Sequence, residues 1–64
     1  MNKLTLDRLC EYAELHATAK NDLERFNADQ RAYEFLAYSG FNIREMVSYT
    51  NNYNRLKKEI NIIH

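Results

Sequence analysis

The chain has 64 residues, nine Lys plus Arg against nine Asp plus Glu, no proline and a single glycine. That length allows one domain, spanning 1–64. The absence of proline and the single glycine argue against turn-rich β architectures, and the balanced charge provides no field to steer the chain to nucleic acid or to an anionic membrane. A domain this small buries only about 60% of the surface its unfolded chain exposes, so disulfides, a metal or association with another chain usually assist it. Cys10 is the only cysteine, which excludes an intrachain disulfide. His16 and His64 lie far apart and form no ligand spacing with Cys10, so no metal or other cofactor is expected. Association remains as the aid.

The first helix is expected from Thr5, as N-cap, to about Phe26, with Asp7 in the first turn where the helix dipole favours negative charge. Leu6, Leu9, Ala13, His16 and Leu23 recur at steps of three and four, with Cys10 and Ala17 beside them. Asp7, Glu11, Glu14, Thr18, Asp22 and Arg25 form the polar face. The small Cys10, Ala13 and Ala17 permit close approach of a neighbouring helix, and the large Tyr49 and Tyr53 suit the space opposite. The end of this helix is marked twice, by Asn21-Asp22-Leu23-Glu24 and by Asn27-Ala28-Asp29-Gln30. The second break is preferred, because Leu23 and Phe26 stay in phase with the first helix.

A short middle helix over about 28–39 follows, with Ala28, Ala32, Tyr33, Phe35, Leu36 and Ala37 on half its circumference and Tyr38 on another side. Gln30, Arg31 and Glu34 are its polar face. An apolar arc wider than the usual ~100° stripe implies contacts on two sides.

Ser39-Gly40-Phe41-Asn42 then punctuates the chain. Gly40 suits a left-handed residue after a helix. Asn42 and Glu45 have capping-box spacing, and Phe41 and Met46 that of a hydrophobic staple. The third helix is predicted over about 42–62. Met46, Tyr49, Tyr53, Leu56, Ile60 and Ile63 form a heptad-like stripe, Ile43 and Val47 extend the apolar surface to a second side, and Arg44, Asn51, Arg55 and Lys58 line the opposite face. The reading is all-α: two long helices and a short middle one, assembled as a dimeric helical bundle because one copy has more apolar surface than it can hide.

No constellation of side chains points to catalysis. There is no glycine-rich phosphate loop. Cys10 and His16 point about 240° apart around one helix and form no nucleophile–base pair. Glu11 and Glu14, near Asp7, read as a solvated face. The stretch 31–49, with Gly40 in the turn, Phe41 next and Met46 and Tyr49 six and nine residues on, is similar in spacing to the helix-turn-helix of DNA-binding regulators. That resemblance implies a recognition helix offering Asn42, Arg44, Glu45, Ser48, Asn51 and Asn52 to a major groove. It departs at Leu36, where a small residue is usual, and at Ser39, where an apolar one is.

Five tyrosines and three phenylalanines favour an interface, since tyrosine joins a large apolar ring to a polar tip. The leading expectation is a non-catalytic protein–protein interaction module, not an enzyme: a small inhibitor, adaptor or regulator of a larger protein, with contacts through Tyr33, Tyr38, Ile43 and Val47 and charged guidance from Arg44 and Arg55. In size and composition the chain resembles the small accessory proteins of bacteriophages and other mobile elements. The alternative is a helix-turn-helix DNA-binding transcriptional regulator. No apolar run reaches the roughly 18 residues of a membrane span and no leader pattern is seen, so a cytoplasmic location is expected.

Overall fold

The helical periodicities resolve into three helices in the computed structural model: α1 Lys3–Ala17, α2 Asp22–Tyr38 and α3 Ile43–Ile63. The structure describes residues 3–63, with side chains through Asn61. No strand occurs among the described residues, and no helix in them is long and apolar enough to cross a membrane.

The first break falls at Asn21 and not at Asn27. Asn21 is extended (φ −154°, ψ 174°), and its Oδ1 accepts the Glu24 backbone N–H at 2.9 Å. Glu24 in turn accepts the Lys20 backbone N–H at 2.7 Å. Asp22 and Glu24 place negative charge in the first turn, where the dipole rewards it. Arg25 bonds Asp22, and its guanidinium holds that exposed carboxyl below its ordinary pKa, first by the hydrogen bond and then by charge. The middle helix therefore has 17 residues and the first 15, which corrects the expected division at 5–26 and 28–39. Thr5 is likewise no cap. It is buried within α1, which is already helical at Lys3.

The second connection is as the sequence predicts. Gly40 adopts φ +75°, and the Ser39 N–H and hydroxyl donate to the Leu36 and Phe35 carbonyls at 3.3 and 2.6 Å. The capping box closes in both directions: Glu45 N–H donates to Asn42 Oδ1 at 2.8 Å, and Asn42 N–H to Glu45 Oε1 at 3.1 Å. Phe41 and Met46 both pack on the core, and the Phe41 ring stacks on Tyr49 with centroids 4.7 Å apart.

The core is built from Leu9 and Ala13 of α1, Ala32 and Leu36 of α2, and Tyr49 and Tyr53 of α3. Of the small residues Cys10, Ala13 and Ala17 expected opposite the large rings of α3, only Ala13 joins Tyr49 and Tyr53 in the core cluster, and Ala17 is half-buried. Cys10 is only half-buried. Leu6, Tyr12, Phe35, Leu56 and Ile60 form the fringe. The side chain of Ile63, last in the predicted stripe, lies outside the described residues. Contacts are distributed unevenly: α1 packs along both other helices, whereas α2 and α3 touch little. The long dimension of 33 Å is set by α3, whose length at 1.5 Å per residue is about 31 Å.

Candidate interaction surface

The limited contact between α2 and α3 is polar at its centre. Tyr53 is fully buried, and its hydroxyl donates to Asp29 Oδ1 at 2.7 Å. Lys57 Nζ donates to the same oxygen at 3.2 Å and sits 4.7 Å from the centre of the Tyr53 ring. The Tyr33 ring meets Tyr53 edge-on at 5.9 Å. Burial, then the Asp29 hydrogen bond and its charge, push the Tyr53 phenol far above its ordinary pKa. This cluster is a clasp. The Tyr53 hydroxyl and the Lys57 ammonium both donate to one Asp29 oxygen within the fold.

Beyond the clasp, on the side away from α1, the fold leaves large apolar side chains in water. On α2 these are Leu23 and Phe26, 69% and 61% exposed, and Tyr33, 40% exposed. With Gln30 and Ala37 they recur at steps of three and four, so they share one helical face. Phe26, Asp29, Gln30, Tyr33, Glu34 and Ala37 line a shallow depression there. On α3, Ile43 and Val47 are 84% and 55% exposed. Both lie further round α3 from Tyr53 and Lys57, in the direction away from the α1 contact.

The sequence-predicted contact residues are all exposed, but the fold does not gather them into one patch. Tyr33, Ile43 and Val47 lie on the same side of the α2–α3 pair. Tyr38, 88% exposed, is about 140° from Tyr33 around the helix and points elsewhere. Arg44 and Arg55 are exposed on the outer face of α3, Arg44 about one turn before Val47 and Arg55 about two turns after it. Arg55 is held there by Asn52 at 2.8 Å and Glu59 at 3.7 Å. Sequence reasoning missed Leu23 and Phe26 as surface residues, because it placed them in the first helix facing the core. Once the helix begins at Asp22, the 23-26-30-33-37 spacing reveals a second apolar stripe.

Groups that carry chemistry elsewhere remain scattered. Cys10 is a half-buried free thiol. His16 is half-buried, with Nδ1 shielded and without a hydrogen-bond partner. Asp7, Glu11 and Glu14 face water. Among the described residues no three His, Cys, Asp or Glu side chains are grouped to hold a metal ion. The surface defines the class only as a three-helix all-α protein with uncovered apolar stripes. No protein-family model matches the chain, and no curated protein or solved structure is significantly similar to it.

Proposed function

We propose that the chain is a non-catalytic interaction module, a small inhibitor, adaptor or regulator that docks on a larger protein in the cytoplasm of the cell that makes it. The observation that carries this reading is the exposure of Ile43 and Val47 at the start of α3. Large aliphatic side chains left in water next to one another mark docking sites more often than single exposed ones do. Arg44, exposed and in no ion pair among the described residues, flanks the pair with positive charge that orients an acidic partner surface. In size and composition the chain is similar to the small accessory proteins of phages and mobile elements. A photo-crosslinking residue in place of Val47 is expected to give a discrete adduct in native cells, and the same residue in place of Glu14 on α1 none. Equal labelling from both positions, or none from Val47, overturns the reading.

A second reading has its own observation. Arg44, Asn51, Arg55 and Lys58 form an exposed stripe along α3 after a glycine-containing turn, the arrangement of a recognition helix. It predicts binding to duplex DNA that weakens steeply with salt and with Arg44→Ala. Salt-independent or absent binding excludes it.

A further inference from the structure

We infer that the outer stripe of α2 is the seam of a two-fold dimer, in which a second copy of the chain lies antiparallel on the first with Phe26 seated over Ala37 of the other copy. This goes beyond the docking role of Ile43 and Val47 and does not depend on it, because both of those side chains lie on α3, outside the seam.

Three features of the stripe select a second copy as the occupant. First, Leu23, Phe26, Gln30, Tyr33 and Ala37 are five successive seam positions without a charge, spaced as in a short coiled coil. Second, the stripe from Phe26 to Ala37 is complementary to its own reverse, with Leu23 at the level of Gly40, past the end of the other copy's α2. Turned about an axis level with the Arg31–Ala32 peptide, it sets the Phe26 ring opposite its smallest side chain, Ala37, and Tyr33 opposite Gln30. Each contact is made twice, as an isologous interface requires. The depression bordered by Tyr33, Glu34 and Ala37 is where the incoming ring rests.

Third, the rim charges match. Arg31 and Glu34 are exposed on the edge of α2 away from α3, and neither makes an ion pair among the described residues. In the antiparallel arrangement, edges of the same kind meet. Arg31 of one copy then comes within about 3 Å of the level of Glu34 of the other, giving two reciprocal pairs across the axis. Asn27 faces Glu34 as an uncharged neighbour. A seam of this length buries on the order of 1,000 Å² over both copies, the low end for a specific interface. The dimer is therefore reversible and forms with concentration.

Sedimentation from about 5 to 500 µM, a span of some 2.7 kcal/mol in association free energy, reads the assembly directly. The wild-type chain is expected to pass from monomer to dimer across that range. Phe26→Ser and Ala37→Arg are expected to weaken association at least tenfold with helical content unchanged, since both positions are exposed. Val47→Ser is expected to leave it as in the wild type. Register is read in a Cys10→Ser background with oxidised glutathione as oxidant. Chains carrying Phe26→Cys mixed with chains carrying Ala37→Cys are expected to cross-link to a dimer, whereas either alone is not. Within one chain the two positions are about 16 Å apart along the helix, beyond disulfide reach. A wild-type monomer at every concentration, a dimer that survives both Phe26→Ser and Ala37→Arg, or cross-linking by the Phe26→Cys chain alone overturns the inference. None of these outcomes touches the Val47 photo-crosslink.

Discussion

Tyr53 combines the demands placed on a side chain in a small core. Its ring fills the space opposite Leu9, Ala13 and Ala32, and its hydroxyl is brought into the interior only because Asp29 accepts from it. Tyr53→Phe keeps the ring and removes the bond, leaving Asp29 with Lys57 alone. A hydrogen bond to a charged acceptor contributes about 1.5–3 kcal/mol, less where water reaches the acceptor, and Asp29 retains 28% of its side-chain exposure. The expected loss is about 1–2 kcal/mol by urea denaturation. The same bond sets a pH dependence. Because the folded chain holds the Tyr53 proton more tightly than the unfolded chain does, this stabilisation is fully present below the unfolded phenol value of about 10 and is lost as pH rises beyond it. Alkaline unfolding of the wild type is thus expected to be steeper above pH 10 than that of Tyr53→Phe, and equal slopes would refute the assignment. The stripe containing Tyr53 was legible in the sequence from its three-four spacing. Its polar partner was not, because helical phase tells which side a residue occupies and says nothing about which residue 24 positions away will meet it.

The helix ends obey local rules, and there the sequence was informative where one signal stood alone and ambiguous where two competed. Gly40, Asn42 and Glu45 had no rival, and the turn formed as read. At the first connection two asparagines had nearly equal claims. The preference for Asn27 rests on the compact polar face of 28–39 taken alone and on the phase that Leu23 and Phe26 keep with the first helix. The structure leaves both mostly in water. What decides the boundary is electrostatic and local: Asp22 and Glu24 at the positive end of α2, and a Glu24 carboxylate able to reach back to the Lys20 N–H. Asn21→Ala and Asn42→Ala are each expected to cost about 1 kcal/mol, the usual value of an N-cap. Asn27→Ala, at an exposed position inside α2, should be neutral or slightly stabilising, as alanine is the better helix former. Thermal denaturation of the three variants separates the two boundaries, since a break at Asn27 reverses the order of Asn21 and Asn27.

For the whole molecule, stability depends on where apolar volume sits more than on how much there is. α1 joins two helices that scarcely touch, and Leu9 lies fully buried where it does so, against Leu36, Tyr49 and Tyr53 of the same cluster. Truncating a buried leucine to alanine costs about 2–5 kcal/mol through lost transfer energy and the cavity left behind. That is a large fraction of the roughly 5 kcal/mol available to a domain near the lower size limit. Leu9→Ala is therefore expected to be largely unfolded at 37 °C. Phe26 is a larger side chain than Leu9, yet Phe26→Ser is expected to change stability by no more than about 0.5 kcal/mol when measured at a few micromolar, where association does not contribute. Guanidinium titrations of the two variants test this contrast, because a similar slope with a shifted midpoint in Leu9→Ala alone places the core on the inner stripe of α2 and the adjoining face of α1. If Phe26→Ser destabilises the isolated chain as strongly as Leu9→Ala does, then Phe26 is a core residue and the outer stripe is not a surface at all.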